Sequence, residues 1–173
     1  MTAMAELSLI PVGPNLKNAF ARSRDALGHA LGLGLLDGWP QFPESLDPHG
    51  PDFAPPWSGY LFAVAGEVVG NGGFVGPPDA HGCVEIGYEI APARWNRGYA
   101  TAAARSLVGL AWEKGATRVI AHSAAEWNAS NRVMAKLGMR FVEALPNAEL
   151  GTVWRFAVDC VPSPCIRGVA DAG

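Results

Sequence analysis

The sequence predicts a mixed α/β (α+β) fold, a central mixed sheet packed on helices. Three observations carry that expectation. Val84–Ile90 alternates with period two, with Val84, Ile86, Tyr88 and Ile90 on one face and Glu85, Gly87 and Glu89 on the other. Residues 99–114 set Tyr99, Ala103, Leu107, Leu110 and Ala111 in one helical stripe. Strand-like runs stand before, between and after that helix and a second one at 128–137. The 173 residues are 49% hydrophobic, enough for one core, expected over residues 1–160 with a loose tail at 161–173.

In chain order, Leu7–Pro11 reads as a short strand, and residues 15–31 read as one helical stretch. Gly32–Ser58 is rich in Gly, Pro and aromatics, and a structureless connection of that length is usually functional, so 32–58 is a candidate lid over an acceptor site. Strands at 60–65 and 68–75 turn at Gly66-Glu67, and Pro77-Pro78-Asp79 turns the loop before Val84. Gly115 closes the first long helix as a left-handed cap, and Gly138 stops the second. Between them lies a strand at 118–123, and two more follow at 139–144 and 152–158.

Charge and composition exclude several classes. A formal net charge of −3 argues against a basic nucleic-acid binder. No apolar run reaches membrane-spanning length, and the N-terminus lacks the basic-then-apolar pattern of a secretion signal. Three cysteines are an odd number for a disulfide framework, and Cys160 and Cys165 have no further ligands nearby to make a metal site. Reduced thiols in a cytoplasmic protein are the expectation. His29, His49 and His81 have no metal-ligand spacing, so no metal is expected. His122 and Ser123 are adjacent on a strand and point to opposite faces, which argues against a nucleophilic pair.

The informative stretch is Arg94-Trp95-Asn96-Arg97-Gly98-Tyr99-Ala100-Thr101, where a strand passes through a turn into a helix. Unpaired N–H groups at a helix start, backed by the helix dipole, make an anion site. Gly98 and Ala100 let a diphosphate approach the main chain, and Arg94 and Arg97 add charge. With no Gly-Lys-Ser/Thr and only one glycine, it is neither a P-loop nor a dinucleotide fingerprint.

That turn sits between Glu85-Ile86-Gly87-Tyr88-Glu89-Ile90 and Asn128-Ala129-Ser130-Asn131-Arg132-Val133-Met134. In this order the chain resembles the GNAT superfamily of acetyl-CoA-dependent N-acetyltransferases, and within it the branch of the ribosomal-protein N-terminal-alanine acetyltransferases. The resemblance runs from Tyr60 to about Phe156 and is poor over the first 58 residues. It implies a largely antiparallel sheet with two splayed strands at the cofactor site. It implies further that main-chain groups of Ile90 and Ala91 bond the pantetheine arm of acetyl-CoA and polarise its thioester carbonyl. The amides of Arg97, Gly98, Tyr99, Ala100 and Thr101 would hold the pyrophosphate, although Trp95 departs from the Gln or Arg of the family turn.

The resemblance also assigns chemistry. Glu85 matches a general base, with Glu89 as the fallback. The tyrosine that protonates the leaving thiolate in many members is replaced by Met134, so Ser130 is the substitute. Asn128 and Asn131 would contact the cofactor, although both also suit helix capping. Trp39, Phe53 and Trp57 in the 32–58 loop are candidate walls of an acceptor pocket. That loop carries Asp37, Glu44, Asp47 and Asp52 with no Lys or Arg, which suits a cationic amine, a small molecule or a peptide N-terminus. The expected partners are that acceptor and acetyl-CoA as co-substrate, with neither nucleic acid nor membrane; a homodimer is compatible. The alternative expectation is a catalytically silent acyl-CoA-binding module.

Overall fold

The computed structural model describes residues 5–161. The tail beyond, with Cys165, lies outside the described residues. Eight strands are β1 (Ser8–Pro11), β2 (Gly34–Leu35), β3 (Gly59–Val64), β4 (Glu67–Phe74), β5 (Cys83–Ile90), β6 (Arg118–Ala124), β7 (Arg140–Asn147) and β8 (Gly151–Asp159). Four helices are α1 (Pro14–Arg22), α2 (Arg24–Leu31), α3 (Tyr99–Glu113) and α4 (Ala129–Lys136). The strands form one sheet in the order β1-β3-β4-β5-β6-β8-β7, with β2 added beside β4. Among the described residues only the β2/β4 and β5/β6 pairs are parallel.

Alternation along the strands divides the core between the two faces of the sheet. Phe62, Val69, Val84, Ile86 and Ile90 pack with Leu107, Val108 and Ala111 of α3 and Met134 of α4. Leu61 and Val68 pack on the other face with Leu27 of α2, Val12, Trp39 and Leu46. Each such fully buried Leu or Phe contributes about 2 kcal/mol by leaving water. Alanines at 103, 104 and 111 on α3 are wholly buried and let the helix lie close to the strands.

Three local expectations are corrected. The helical stretch at 15–31 is two helices, because Ser23 is extended and its hydroxyl caps the second by accepting from the Ala26 N–H at 3.0 Å. The hairpin between β3 and β4 turns at Ala65-Gly66, both with positive φ (48° and 85°), matching the twist of its strands. The 32–58 segment is not structureless. It contributes β2, a 3-10 turn at Pro43–Leu46, and two fully buried side chains, Trp39 and Leu46.

Candidate active site

The β5–β6 ladder stops at Glu85↔Ile120. Beyond it β5 stays with β4 up to Ile90 and β6 stays with β8 up to Ala124, so their facing edges part into a wedge. The Val75 N–H bonds the Glu85 carbonyl at 3.0 Å and the Ala91 N–H bonds the Val69 carbonyl at 2.8 Å. By the alternation of an antiparallel ladder, Glu85, Gly87, Glu89 and Ala91 turn their main-chain groups to β4, and Tyr88 and Ile90 turn theirs to the wedge. The Ile90 carbonyl is taken by the Trp95 indole N–H at 2.7 Å. The groups left for an extended ligand are the Ile90 N–H and the N–H and carbonyl of Tyr88. Ala91 is therefore corrected: its N–H and carbonyl are both bonded, the carbonyl to the Arg94 N–H.

At the mouth of the wedge stands the N-terminus of α3. Gly98 is left-handed (φ 80°), no side chain caps the helix, and its first turn carries no acid. Among the described residues, the N–H groups of Arg97, Gly98, Tyr99, Ala100 and Thr101 find no hydrogen-bond partner. Five free donors at the positive end of a 15-residue helix fit the pyrophosphate of CoA. Arg97 is exposed beside them, whereas Arg94 is clasped by both oxygens of Glu67 at 2.7–3.0 Å.

A cavity of about 440 Å³ opens on the face of β5 that carries Gly87 and Glu89. Phe42 and Phe53 wall it, and Phe74, Ser58 and His122 lie around it. Of the three predicted wall aromatics, only Phe53 lines it. Trp39 is 2% exposed, its indole N–H bonding Asn71 Oδ1 at 2.8 Å, and Trp57 packs edge-on to Phe74 with centroids 5.0 Å apart. Lys17 of α1 reaches across to the Pro51 carbonyl at 3.1 Å and to Asp52 at 3.4 Å, so one of the loop's acids is already paired.

Glu89 is a loop anchor rather than a free base. Its Oε2 accepts from the Gln41 N–H at 3.0 Å and its Oε1 from the Phe42 N–H at 2.8 Å. Burial pushes its carboxyl above the ordinary range, and the two amide bonds offset that only in part. Glu85 keeps one oxygen open: His122 Nδ1 lies 2.8 Å from its Oε1. His122 lines the cavity, and Glu85, outside that lining, is joined to it through this contact at the point where β5 and β6 part.

On the helix side of the wedge the Tyr88 hydroxyl lies 3.2 Å from Ser130 Oγ. Desolvation raises the phenol above its ordinary pKa, so it stays protonated and able to donate. Met134 is buried in the core. Asn128 and Asn131 form a reciprocal capping box, the Asn131 N–H to Asn128 Oδ1 at 3.2 Å and the Asn128 N–H to Asn131 Oδ1 at 2.7 Å. Asn131 also donates to Ser123 Oγ at 2.8 Å and is 1% exposed, which corrects its assignment as a cofactor contact. The side-chain nitrogen Nδ2 of Asn128 keeps no partner among the described residues. Reading the sequence alone missed Tyr88 and His122, whose partners lie on other elements; the alternation that put Tyr88 opposite Glu85 was their only local trace. No cluster of three or more metal-ligating side chains occurs among the described residues, and no helix there is long and apolar enough to cross a membrane.

A family model described as an acetyltransferase (GNAT) domain matches residues 41–140, more than half of the chain. The protein belongs to the GNAT acetyltransferase family, and its chemistry is acetyl-CoA-dependent acetylation of amines. Among solved structures it is similar to Mycobacterium smegmatis RimJ in complex with CoA-disulfide, at 20% identity over 93% of this chain and 88% of that one, with a TM-score of 0.64. RimL, a ribosomal L7/L12 alpha-N-protein acetyltransferase in complex with coenzyme A, is 18% identical over 89% and 94%, with a TM-score of 0.64. A SpeG spermidine N-acetyltransferase chimera from Vibrio cholerae and hSSAT is 14% identical over 90% and 96%, with a TM-score of 0.63. No curated protein matches the sequence. The silent-module alternative is not favoured.

Proposed function

We propose that this protein moves the acetyl group of acetyl-CoA directly onto an amine of a small molecule or a peptide N-terminus, with Glu85 as general base and the Tyr88–Ser130 pair as proton donor. The carrying observation is the meeting of two half-sites at one wedge. Free main-chain donors and acceptors line its CoA side, and a carboxylate with one open oxygen stands at its acceptor side.

An amine attacks only when neutral, so its proton must go to a nearby base, directly or through one water. Glu85 Oε2 is free to take it. The Ile90 N–H faces the wedge as a fixed donor for the carbonyl oxygen on which charge develops. The departing thiolate takes its proton from the Tyr88 hydroxyl, which lies 3.2 Å from Ser130 Oγ, and the tyrosinate is reprotonated from solvent before the next turnover. Direct transfer is supported by Cys83, the thiol on β5, which burial and then the charge of Asp79 push away from the reactive thiolate form.

Ribosomal proteins and spermidine are acceptors of the similar structures, and either class supplies a primary amine to this cavity. The acidic loop supports a cationic acceptor, and the reduced thiol of Cys83 on β5, unpaired among the described residues, supports a reducing, cytoplasmic setting. The experiment is steady-state release of CoA thiol with an amine substrate. Glu85→Gln should lower kcat by about 10²-fold or more while acetyl-CoA still raises the melting temperature. An unchanged rate from pH 6 to pH 9 would remove Glu85 from the mechanism.

A further inference from the structure

Glu85 is the first of four side chains that run in a row across β5, β6, β8 and β7. His122 Nδ1 lies 2.8 Å from Glu85 Oε1, Arg155 Nε donates to His122 Nε2 at 3.1 Å, and Arg155 Nη1 donates to Glu143 Oε1 at 2.6 Å. The spacing is fixed by the sheet itself, because His122 faces Arg155 in the β6–β8 register and Arg155 faces Glu143 in the β8–β7 register. A guanidinium offers only donors and does not give up its protons. The Nε2 atom of His122 is therefore the acceptor, and the ring proton sits on Nδ1, aimed at Glu85.

We propose that Arg155 and His122 are positioning residues that set one histidine tautomer and thereby hold the Glu85 carboxylate with Oε1 occupied and Oε2 free for the incoming amine. The inference rests on the reading of Glu85 as general base. With the other tautomer, a nitrogen lone pair would face a carboxylate lone pair across 2.8 Å, and the carboxylate would turn away from His122, which lines the cavity. The row moves no proton. The proton leaving the acceptor ends on Glu85 Oε2 and passes from there to water, since Arg155 cannot relay it. Glu143, half-exposed at the far end, keeps Arg155 turned toward the histidine rather than toward solvent.

The test combines nitrogen-15 NMR of the imidazole with acceptor kinetics on the full chain. In the wild type, the His122 signals, assigned by their loss in His122→Asn, should show a protonated Nδ1 and an accepting Nε2. Arg155→Met should give a mixture of tautomers and lower kcat by about 10- to 100-fold, as expected for a misaimed base, with KM for acetyl-CoA unchanged. In a Glu85→Gln background, Arg155→Met should cost nothing further, because its effect passes through Glu85. A wild-type ring protonated on Nε2 overturns the proposal without any variant. So does an Arg155→Met loss that persists in full in the Glu85→Gln background, or full activity in a folded Arg155→Met. If Glu85→Gln itself is fully active, the general-base reading fails instead, and the NMR result then stands as a structural fact about His122. Arg155→Lys, which keeps the charge but lacks Nε, separates loss of folding from loss of the directed donor.

Discussion

Asn71 and Glu89 are direct cross-strand partners in β4 and β5, and together they hold the 39–45 segment against the sheet. Asn71 accepts from the Trp39 indole and donates to the Phe42 carbonyl at 3.2 Å and to Ser45 Oγ at 2.8 Å. Glu89 takes the N–H groups of Gln41 and Phe42. The segment predicted as a lid is thus a fixed wall latched at one end by this pair and at the other by Lys17. Asn71→Ala leaves the Trp39 N–H and the Phe42 carbonyl without partners, a loss of about 2–4 kcal/mol. Urea denaturation should read that loss, and KM for the acceptor should rise while KM for acetyl-CoA stays.

Glu89 gives the pH dependence of this latch. Burial raises its folded pKa above the unfolded value. A group shifted in that direction contributes stability that is complete below its unfolded pKa and is lost as pH rises through the folded one. Wild type compared with Glu89→Gln should therefore lose relative stability as pH rises from about 4, the unfolded value, through the raised folded pKa. Urea midpoints across that range check it. A difference growing with pH would mean that the two amide bonds outweigh desolvation.

Gly87 separates Glu85 from Glu89 on the cavity face, and a Cβ built there meets nothing within 4 Å. The position is open space rather than a backbone requirement. Gly87→Leu should fold with a melting temperature close to wild type and bind acetyl-CoA normally. Its kcat/KM for the acceptor should fall by about 10²-fold as the side chain displaces the amine. Gly72, the β4 partner of Tyr88, is the contrast: a Cβ there would run into the Gly87 carbonyl oxygen, so Gly72→Ala should destabilise the sheet.

The uncapped start of α3 predicts opposite signs for two properties of one variant. Thr101→Glu places a carboxylate at the positive end of the helix, which should stabilise the free protein by about 0.5 kcal/mol. The same charge meets the pyrophosphate, and KM for acetyl-CoA should rise about tenfold or more. Melting curves with and without acetyl-CoA would register both effects.

What could be read from the sequence was local. The period-two strand at 84–90, the stripe of α3 and the glycine stops each depend on residues a few positions apart, and the anion turn at Arg97–Thr101 is a local motif as well. Long-range pairing was out of reach. Phe42 and Glu89 are 47 residues apart, and His122 lies 37 from Glu85 and 33 from Arg155. Reading His122 against its neighbour Ser123 looked along the strand, whereas its partners lie across it. The expectation for the main-chain groups of Ala91 fails because their direction follows from the register with β4, which local alternation does not contain.

The central claim, that the wedge joins a CoA site to an acceptor base, is tested most directly by CoA-thiol release from acetyl-CoA over a panel of amines and peptide N-termini, run beside the acetyl-CoA melting shift. The account predicts a positive shift and release that depends on an amine and falls with Glu85→Gln. A positive shift with no release for any amine would leave a binding protein, and no shift at all would contradict the site itself.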